Sequence, residues 1–123
     1  MTTNALVADD SATMRKIIIR SLNAVGISSV VEAGDGAQAV ALFEPGEFDL
    51  VLTDWNMPGK TGLEVTKEIR GRDATVPIIM ITTEAEKGHV IQAIQAGVTD
   101  YLVKPFTAEM LREKLNKHVA VTT

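Results

Sequence analysis

The sequence predicts an α/β fold in which a five-stranded parallel sheet is covered by helices on both faces. First, the chain contains five short runs rich in Val, Ile and Leu, most of them without polar alternation, which is typical of strands buried on both faces. Second, the segments between these runs carry apolar residues at helical spacing, and alternating strands and helices favour a parallel sheet. The predicted strands lie at residues 5–8, 29–33, 49–53, 78–82 and 101–103.

The first predicted helix lies in the segment SATMRKIIIRSLNAVG (11–26). Ser11 is its expected N-cap, because a serine side chain can accept a hydrogen bond from the first turn. Gly26 is expected just beyond the C-terminal cap, where glycine is favoured. The expected inward residues are Met14, Ile17, Ile18, Leu22 and Val25, and the expected outward residues are Arg15, Lys16 and Arg20.

Four further helices are predicted from the same periodicity, at about 36–43, 62–70 and 87–96, and from Thr107 onward. The turn EPGE ends the second helix, Gly71 ends the third and Gly97 ends the fourth, while Thr107 is the expected N-cap of the fifth. The residues expected to face the sheet are Ala37, Val40 and Ala41, then Leu63, Val65 and Ile69, then Val90, Ile91 and Ile94, and finally Leu111 and Leu115.

A (βα)5 chain of this length is expected to wind as a flavodoxin-like, doubly wound sheet of strand order 2-1-3-4-5. We expect a single domain over residues 1–123, because no linker, repeat or low-complexity segment divides the chain. In such a sheet, ligands bind beyond the carboxyl ends of the strands, where the winding reverses between the first and third strands.

The composition narrows the classes of function. The chain has 123 residues, a formal net charge of −4 and no cysteine, which excludes disulfides, thiolate zinc sites and a cysteine nucleophile. The net negative charge argues against nonspecific binding of nucleic acid. We expect a protein without a membrane span or export signal, located in the cytoplasm, because no apolar run approaches the roughly 20 residues that a spanning helix needs.

Three carboxylates are predicted to converge at the reversal point. Asp9 and Asp10 follow the first strand and Asp54 ends the third. Like charges a few ångströms apart repel, so such a cluster needs a neutralising cation. Mg²⁺ accepts one or two carboxylates together with carbonyl oxygens and water, and the backbone carbonyl of Asn56 could join them.

A lysine and a hydroxyl are predicted at the same edge. Lys104 follows the fifth strand and Thr82 ends the fourth. An ammonium, a hydroxyl and a metal ion together form a site for a tetrahedral anion. Asp54 is then a candidate nucleophile that becomes an aspartyl phosphate.

Taken singly, these residues have simpler explanations. Asp54 could form an Asx turn, Asp10 could cap a helix, and Thr82 is a common strand residue. An isolated Lys104 would be read as an exposed lysine. Their joint position at one edge of the predicted sheet favours a functional site.

Other ligand-binding motifs match less well. GDGAQA (34–39) fits a dinucleotide pattern, but Asp35 lies inside the would-be phosphate loop and no second mononucleotide half follows. GKT (59–61) resembles the end of a P-loop, but Asp54 stands where that loop needs glycine. A flavin phosphate would be repelled by the carboxylates of DDSAT unless a metal ion lay between them.

Over essentially its whole length the chain resembles response-regulator receiver domains, most of all the stand-alone chemotaxis type. The resemblance is carried by ADDSATMRKII, LTDWNMPGKTGLE, ITTEA, AIQAGVTDYLVKPF and EKLNKH. It implies that Asp54 is the phosphoacceptor and that Lys104 and Thr82 contact the phosphoryl group. It also implies a Lys104-Pro105 peptide that is often cis, and Tyr101 as a rotameric switch. The implied Mg²⁺ ligands are Asp9, Asp10, Asp54 and the Asn56 carbonyl.

The implied function is a monomeric signalling switch that catalyses only its own phosphorylation and dephosphorylation. A sensor histidine kinase would donate the phosphoryl group, and the face formed by helix 4, strand 5 and helix 5 would bind a downstream protein, with the flagellar motor switch as a candidate and a phosphatase as a further partner. A phosphorelay intermediate, a phosphate sink and a kinase feedback partner remain open. An alternative of another class is a haloacid-dehalogenase-like phosphatase, which needs Asp-x-Asp after the first strand, where this chain has DDS.

Overall fold

The computed structural model describes residues 3–83 and 88–118. Within these residues, five strands alternate with five helices. The strands are β1 (Asn4–Ala8), β2 (Ser29–Ala33), β3 (Leu50–Asp54), β4 (Ile78–Thr82) and β5 (Asp100–Val103). The helices are α1 (Ala12–Ala24), α2 (Gly36–Leu42), α3 (Gly62–Arg70), α4 (Val90–Ala96) and α5 (Ala108–His118).

The strands form one parallel sheet of order β2-β1-β3-β4-β5, which confirms the predicted flavodoxin-like winding. In its register, Ala8 lies opposite Thr53 and Thr82 lies opposite Val103, so the strands end nearly level. Consequently, the residues that follow β1, β3, β4 and β5 all emerge at one edge of the sheet.

Two hydrophobic clusters cover the two faces of the sheet, because alternate side chains of a strand point to opposite sides. One face packs on α1 and α5 through Ile18, Leu22, Leu111 and Leu115. The other face packs on α2, α3 and α4, and its helical members include Ala39, Val65, Ile69 and Ala93, with Phe43 at the end of α2.

The strand boundaries differ slightly from those predicted. β2 and β4 have the predicted bounds, β1 starts one residue earlier, at Asn4, and β5 starts one residue earlier, at Asp100. β3 is shifted by one residue, so that Asp54 lies inside the strand. The strand extends to Asp54 because β3 continues to pair with β4 beyond its apolar run. Asp54 lies opposite Ile81, and the Trp55 N–H donates to the Ile81 carbonyl at 3.2 Å.

The predicted N-caps of α1 and α5 and the predicted glycine stops of α1, α3 and α4 are confirmed. Ser11 accepts a hydrogen bond from the Met14 N–H, and Thr107 accepts one from the Met110 N–H. Gly26 and Gly97 have φ values of 94° and 111°, a left-handed conformation that glycine adopts without steric cost. The predicted bounds of α3 match, including its stop at Gly71.

Several predicted inward residues are exposed. In α1, Ile17 is 43% exposed, because the buried stripe passes through Ile18 and Leu22. In α2, Ala37 and Ala41 are exposed, since Gly36, Ala39 and Phe43 face the sheet instead.

In α4, Ile91 and Ile94 are 70% and 54% exposed, and the buried residue is Ala93. The helix is described from Val90, and residue 87, its predicted start, lies outside the described residues. In the part of the chain that the structure describes, no helix combines the length and the apolar character needed to cross a membrane.

Two adjacent isoleucines of α1 test the assignment of its buried face. We expect Ile18→Ala to lower the free energy of unfolding by about 2–5 kcal/mol, because it leaves a cavity in the core. Ile17→Ala, the matched control, should cost less than about 1 kcal/mol. Urea denaturation followed by circular dichroism measures both, and equal losses would contradict the assigned face.

Candidate functional site

The candidate site lies at the carboxyl edge of the sheet, beside the central strands β1 and β3. Asp9 follows β1 and is 1% exposed, and Asp54 ends β3 and is 7% exposed. Asp10 is exposed to solvent. Each of these three aspartates has a carboxylate oxygen within 4.8 Å of one from each of the others. The structure therefore brings together the three carboxylates that the sequence predicted to converge.

The Asp9 carboxylate is held by hydrogen bonds on both oxygens. Its Oδ1 accepts from the Ser11 N–H at 2.8 Å, and its Oδ2 accepts from Lys104 Nζ at 3.4 Å. Its backbone is also fixed, since the Asp9 N–H donates to the Ala33 carbonyl at 3.1 Å and Arg15 Nη1 donates to the Asp9 carbonyl at 2.6 Å. Asp9 is thus positioned by strand β2 and helix α1 as well as by its own strand.

The Asp54 carboxylate lies beside Lys104. Its Oδ1 accepts hydrogen bonds from Lys104 Nζ at 3.1 Å and from the Trp55 N–H at 2.9 Å. Behind it, Gly62 packs so tightly on the Asp54 backbone carbonyl that a Cβ at position 62 would collide with it and would lie 2.8 Å from Met80 Sδ. The start of α3 therefore supports the end of β3.

Burial and repulsion shift the protonation of the site. Burial, followed by the negative charge of Asp9, raises the pKa of Asp54 from its ordinary value of 3.8 to about 6, although the Lys104 ammonium opposes the shift. Burial by itself lowers the pKa of Lys104, but the charges of Asp54 and Asp9 and their hydrogen bonds outweigh it, so the pKa of Lys104 is raised. Lys104 therefore stays protonated at neutral pH.

The charge balance of the site suits a hard divalent cation. With Asp9, Asp10 and Asp54 ionised, the Lys104 ammonium compensates one of three negative charges, and the excess is negative. Carboxylate oxygens are the ligands that Mg²⁺ prefers, so the donor set fits this ion. Asn56, whose carbonyl was predicted to join the set, lies in the exposed loop that follows β3.

Thr82 and Lys104 are adjacent through the backbone. Thr82 is 1% exposed, and its Oγ1 donates to the Thr83 carbonyl at 3.1 Å. The Lys104 N–H donates to the Thr82 carbonyl at 2.7 Å, and the Lys104-Pro105 peptide is cis, as the resemblance implied. Both residues thus lie at the edge that carries the aspartates.

Tyr101 lies further from this edge. Tyr101 pairs with Met80, which lies two residues before Thr82 on β4. The half-buried ring of Tyr101 packs against the core. Lys114 Nζ lies 5.0 Å from the centre of this ring, within the range of a cation–π contact. The carboxylate of Asp100 joins Lys114 at 3.0 Å and His118 at 2.9 Å.

Sequence reasoning missed two residues near the site. Arg15 was expected on the outward face of α1, but its guanidinium turns to Asp9 and to Glu32, whose Oε1 it meets at 3.0 Å. His89 is exposed, and its ring stacks on Trp55 with the centres 5.6 Å apart. Both contacts join distant segments, and no local pattern signals them.

The chain matches the response regulator receiver domain family over residues 5–116. It is 44% identical to the chemotaxis protein CheY of Pseudomonas aeruginosa over 114 residues, which cover 91% of this chain and 92% of that protein. It is 46% identical to chemotaxis protein CheY-3 of Vibrio cholerae over 114 residues, which cover 91% of this chain and 88% of that protein.

Solved structures agree with this match. The chemotaxis protein CheY4 of Vibrio cholerae superposes with a TM-score of 0.87 at 33% identity, covering 97% of this chain and 100% of that one. The receiver domain of a sensor histidine kinase from Pseudomonas aeruginosa, solved with a magnesium ion coordinated in its active-site cleft, superposes with a TM-score of 0.85 at 32% identity, covering 96% of this chain and 98% of that one. The chain therefore belongs to the response regulator receiver domain family.

Proposed function

We propose that this protein is a phosphorylation-dependent switch that accepts a phosphoryl group on Asp54 with Mg²⁺ bound nearby. The observation that carries the proposal is the convergence of Asp54 with Asp9, Asp10 and Lys104 at one edge of the sheet. Asp9, Asp10, Asp54 and the Asn56 carbonyl would hold the ion. The magnesium ion that was found in the active-site cleft of the related receiver domain supports this assignment.

The proposed reaction moves a phosphoryl group from a phosphohistidine to a carboxylate oxygen of Asp54. The N–P bond breaks, the histidine nitrogen keeps the electron pair, and a new O–P bond forms. The pKa of about 6 leaves most of Asp54 ionised at neutral pH, so its carboxylate is available as the nucleophile. Bound Mg²⁺ would neutralise charge on the transferred group.

Lys104 and Thr82 would stabilise the product. The Lys104 ammonium, 3.1 Å from Asp54 Oδ1, is close enough to bind a phosphoryl oxygen. The Thr82 hydroxyl donates to the Thr83 carbonyl in this structure and would turn to the phosphoryl group. That turn would vacate space for the Tyr101 ring, which is how the switch would reach the face formed by α4, β5 and α5.

Exposed apolar side chains on this face would suit contact with a protein partner. Ile91 and Ile94 of α4 and Met110 of α5 are exposed apolar residues on its helices. A shift from mostly inactive to mostly active needs roughly 3–5 kcal/mol of differential binding, and a few charge-assisted hydrogen bonds can supply it.

The phosphodonor would be a sensor histidine kinase, and the output would be a protein partner, with a phosphatase as an additional partner. Relatives named as chemotaxis proteins support a role in chemotaxis, with the flagellar motor switch as the candidate target. The family match argues against a haloacid-dehalogenase-like phosphatase.

The nucleophile is tested by Asp54→Asn. We expect this variant to lose labelling by acetyl phosphate in the presence of Mg²⁺, because the amide cannot form the acyl phosphate. Intact-protein mass spectrometry measures the label. Asp49→Asn, at the residue just before β3, is the control and should be labelled like the wild type. Persistent labelling of Asp54→Asn would refute the assignment of the phosphoacceptor.

Mg²⁺ binding should depend on pH because Asp54 must be ionised to bind the metal. Since its pKa is about 6, the affinity should stay nearly constant above that pH and fall by up to about tenfold per pH unit below it. The fluorescence of Trp55, which follows Asp54 in the chain and whose backbone N–H donates to Asp54 Oδ1, should report the binding. A wild-type affinity that is equal at pH 5 and pH 7 would count against this site.

The free energy of unfolding should also depend on pH through the ionisation of Asp54. Its folded pKa of about 6 lies above its unfolded value, so the ionised form is disfavoured in the fold and stability falls as the pH rises from about 4 to 6. In metal-free protein, the free energy of unfolding of Asp54→Asn relative to the wild type should therefore be about 1–2 kcal/mol higher at pH 7 than at pH 4, after allowance for solvent screening. Urea denaturation at the two pH values measures this gain, and a constant difference would contradict it.

A further inference from the structure

The connection from the end of β2 to the start of α2 borders the proposed metal site without supplying a proposed ligand. We call residues 33–36 the β2–α2 junction and residues 55–61 the β3–α3 loop. The loop carries Asn56, and the junction contacts both this loop and Asp9. It therefore lies between two segments whose spacing a metal site must control.

The first contact fixes the segment that follows β1. The Ala33 carbonyl, at the end of β2, accepts the Asp9 N–H at 3.1 Å. The preceding residue, Glu32, pairs with Arg15, which donates to the Asp9 carbonyl. Both polar groups of the Asp9 backbone are thus tied to the end of β2, one directly and one through Arg15.

The second contact is a close approach of two backbones. Gly36, the first residue of α2, is buried, and a Cβ at this position would collide with the Lys60 carbonyl and lie 2.6 Å from Lys60 Cβ. The β3–α3 loop is therefore pressed directly on the α2 backbone. Its base is closed by the Gly62 N–H, which donates to the Trp55 carbonyl at 2.8 Å, and Lys60 is further held by Glu68 at 2.9 Å.

The junction is itself well anchored. Asp35 caps α2 by accepting the Gln38 N–H at 2.7 Å, and the Gln38 side chain accepts the Gly34 N–H at 2.6 Å. The polar groups of the motif GDGAQA that make these bonds have structural roles, which agrees with rejecting the motif as a phosphate loop. An anchored junction can serve as a fixed support for the loop.

We propose that Gly36 is a positioning residue of the metal site, and this inference rests on the proposed function. Because Gly36 has no side chain, the backbone of α2 can approach the β3–α3 loop closely. This contact holds the loop at a set distance from Asp9 before an ion binds. Mg²⁺ requires near-octahedral geometry with ligands at about 2.0–2.1 Å, so a small displacement of Asn56 weakens binding. Gly36 acts through the Lys60 backbone and touches neither the ion nor the phosphoryl group.

The test compares Gly36→Ala with Gly34→Ala at the same junction. A Cβ at position 34 would meet only the flexible Gln38 Oε1, at 3.4 Å, and Arg15 Nη1, at 3.7 Å. Titration calorimetry with Mg²⁺ alone should show about tenfold weaker binding for Gly36→Ala, as is typical when a residue that supports metal ligands is changed. Gly34→Ala should bind like the wild type. Urea denaturation establishes that each variant is folded.

The outcomes separate this inference from the proposed function. If the wild type binds no Mg²⁺, the proposed function fails. If the wild type binds Mg²⁺ and folded Gly36→Ala binds it equally well, only the positioning role is overturned.

A second measurement needs no variant. In metal-free wild type, hydrogen exchange at the Gly62 N–H should be slow, as at the Asp9 N–H, because the junction orders the loop without the ion. Fast exchange at Gly62 that Mg²⁺ slows would show that the ion orders the loop, and would overturn the proposal.

Discussion

The repulsion between the Asp9 and Asp54 carboxylates is the constraint on which the site depends. Parallel pairing of β1 with β3 places both at one edge, and burial keeps water from screening them. Lys104 reaches both carboxylates but compensates only one charge, so the fold retains an unfavourable interaction that a bound cation would relieve. The pKa of Asp54 is raised first by burial and second by this repulsion. The ionised Asp54 carboxylate that would act as the nucleophile is therefore the same group that destabilises the metal-free fold.

Much of the fold follows from the sequence because the deciding patterns are local. Runs such as IIMIT identify strands buried on both faces, and Ser11, Thr107 and Gly97 mark helix ends through their own backbone chemistry. The convergence of Asp9, Asp54 and Lys104 could also be predicted, since a parallel sheet gathers its carboxyl ends at one edge. Strand order and the position of the acidic cluster required no knowledge of individual contacts.

What could not be predicted depends on contacts between distant segments or on small differences in burial. Alanine stripes in α2 and isoleucines in α4 fit more than one helical face, so periodicity alone favoured Ala37 and Ile91 over Ala39 and Ala93. The long side chain of Arg15 could reach several partners, and the partner that it binds depends on which segments the fold brings near it. The close approach of Gly36 to Lys60 has no signature in either segment alone.

The packing of α4 has a mechanical consequence. Among the seven residues of this helix, all within the described part of the chain, Ala93 is the buried one, while its two isoleucines face outward. Since the free energy needed to displace a helix grows with the apolar area that it buries, displacing α4 should cost less than displacing α3, which buries Val65 and Ile69. Any displacement of α4 would carry Ile91 and Ile94 with it and so rearrange the exposed apolar surface of the protein.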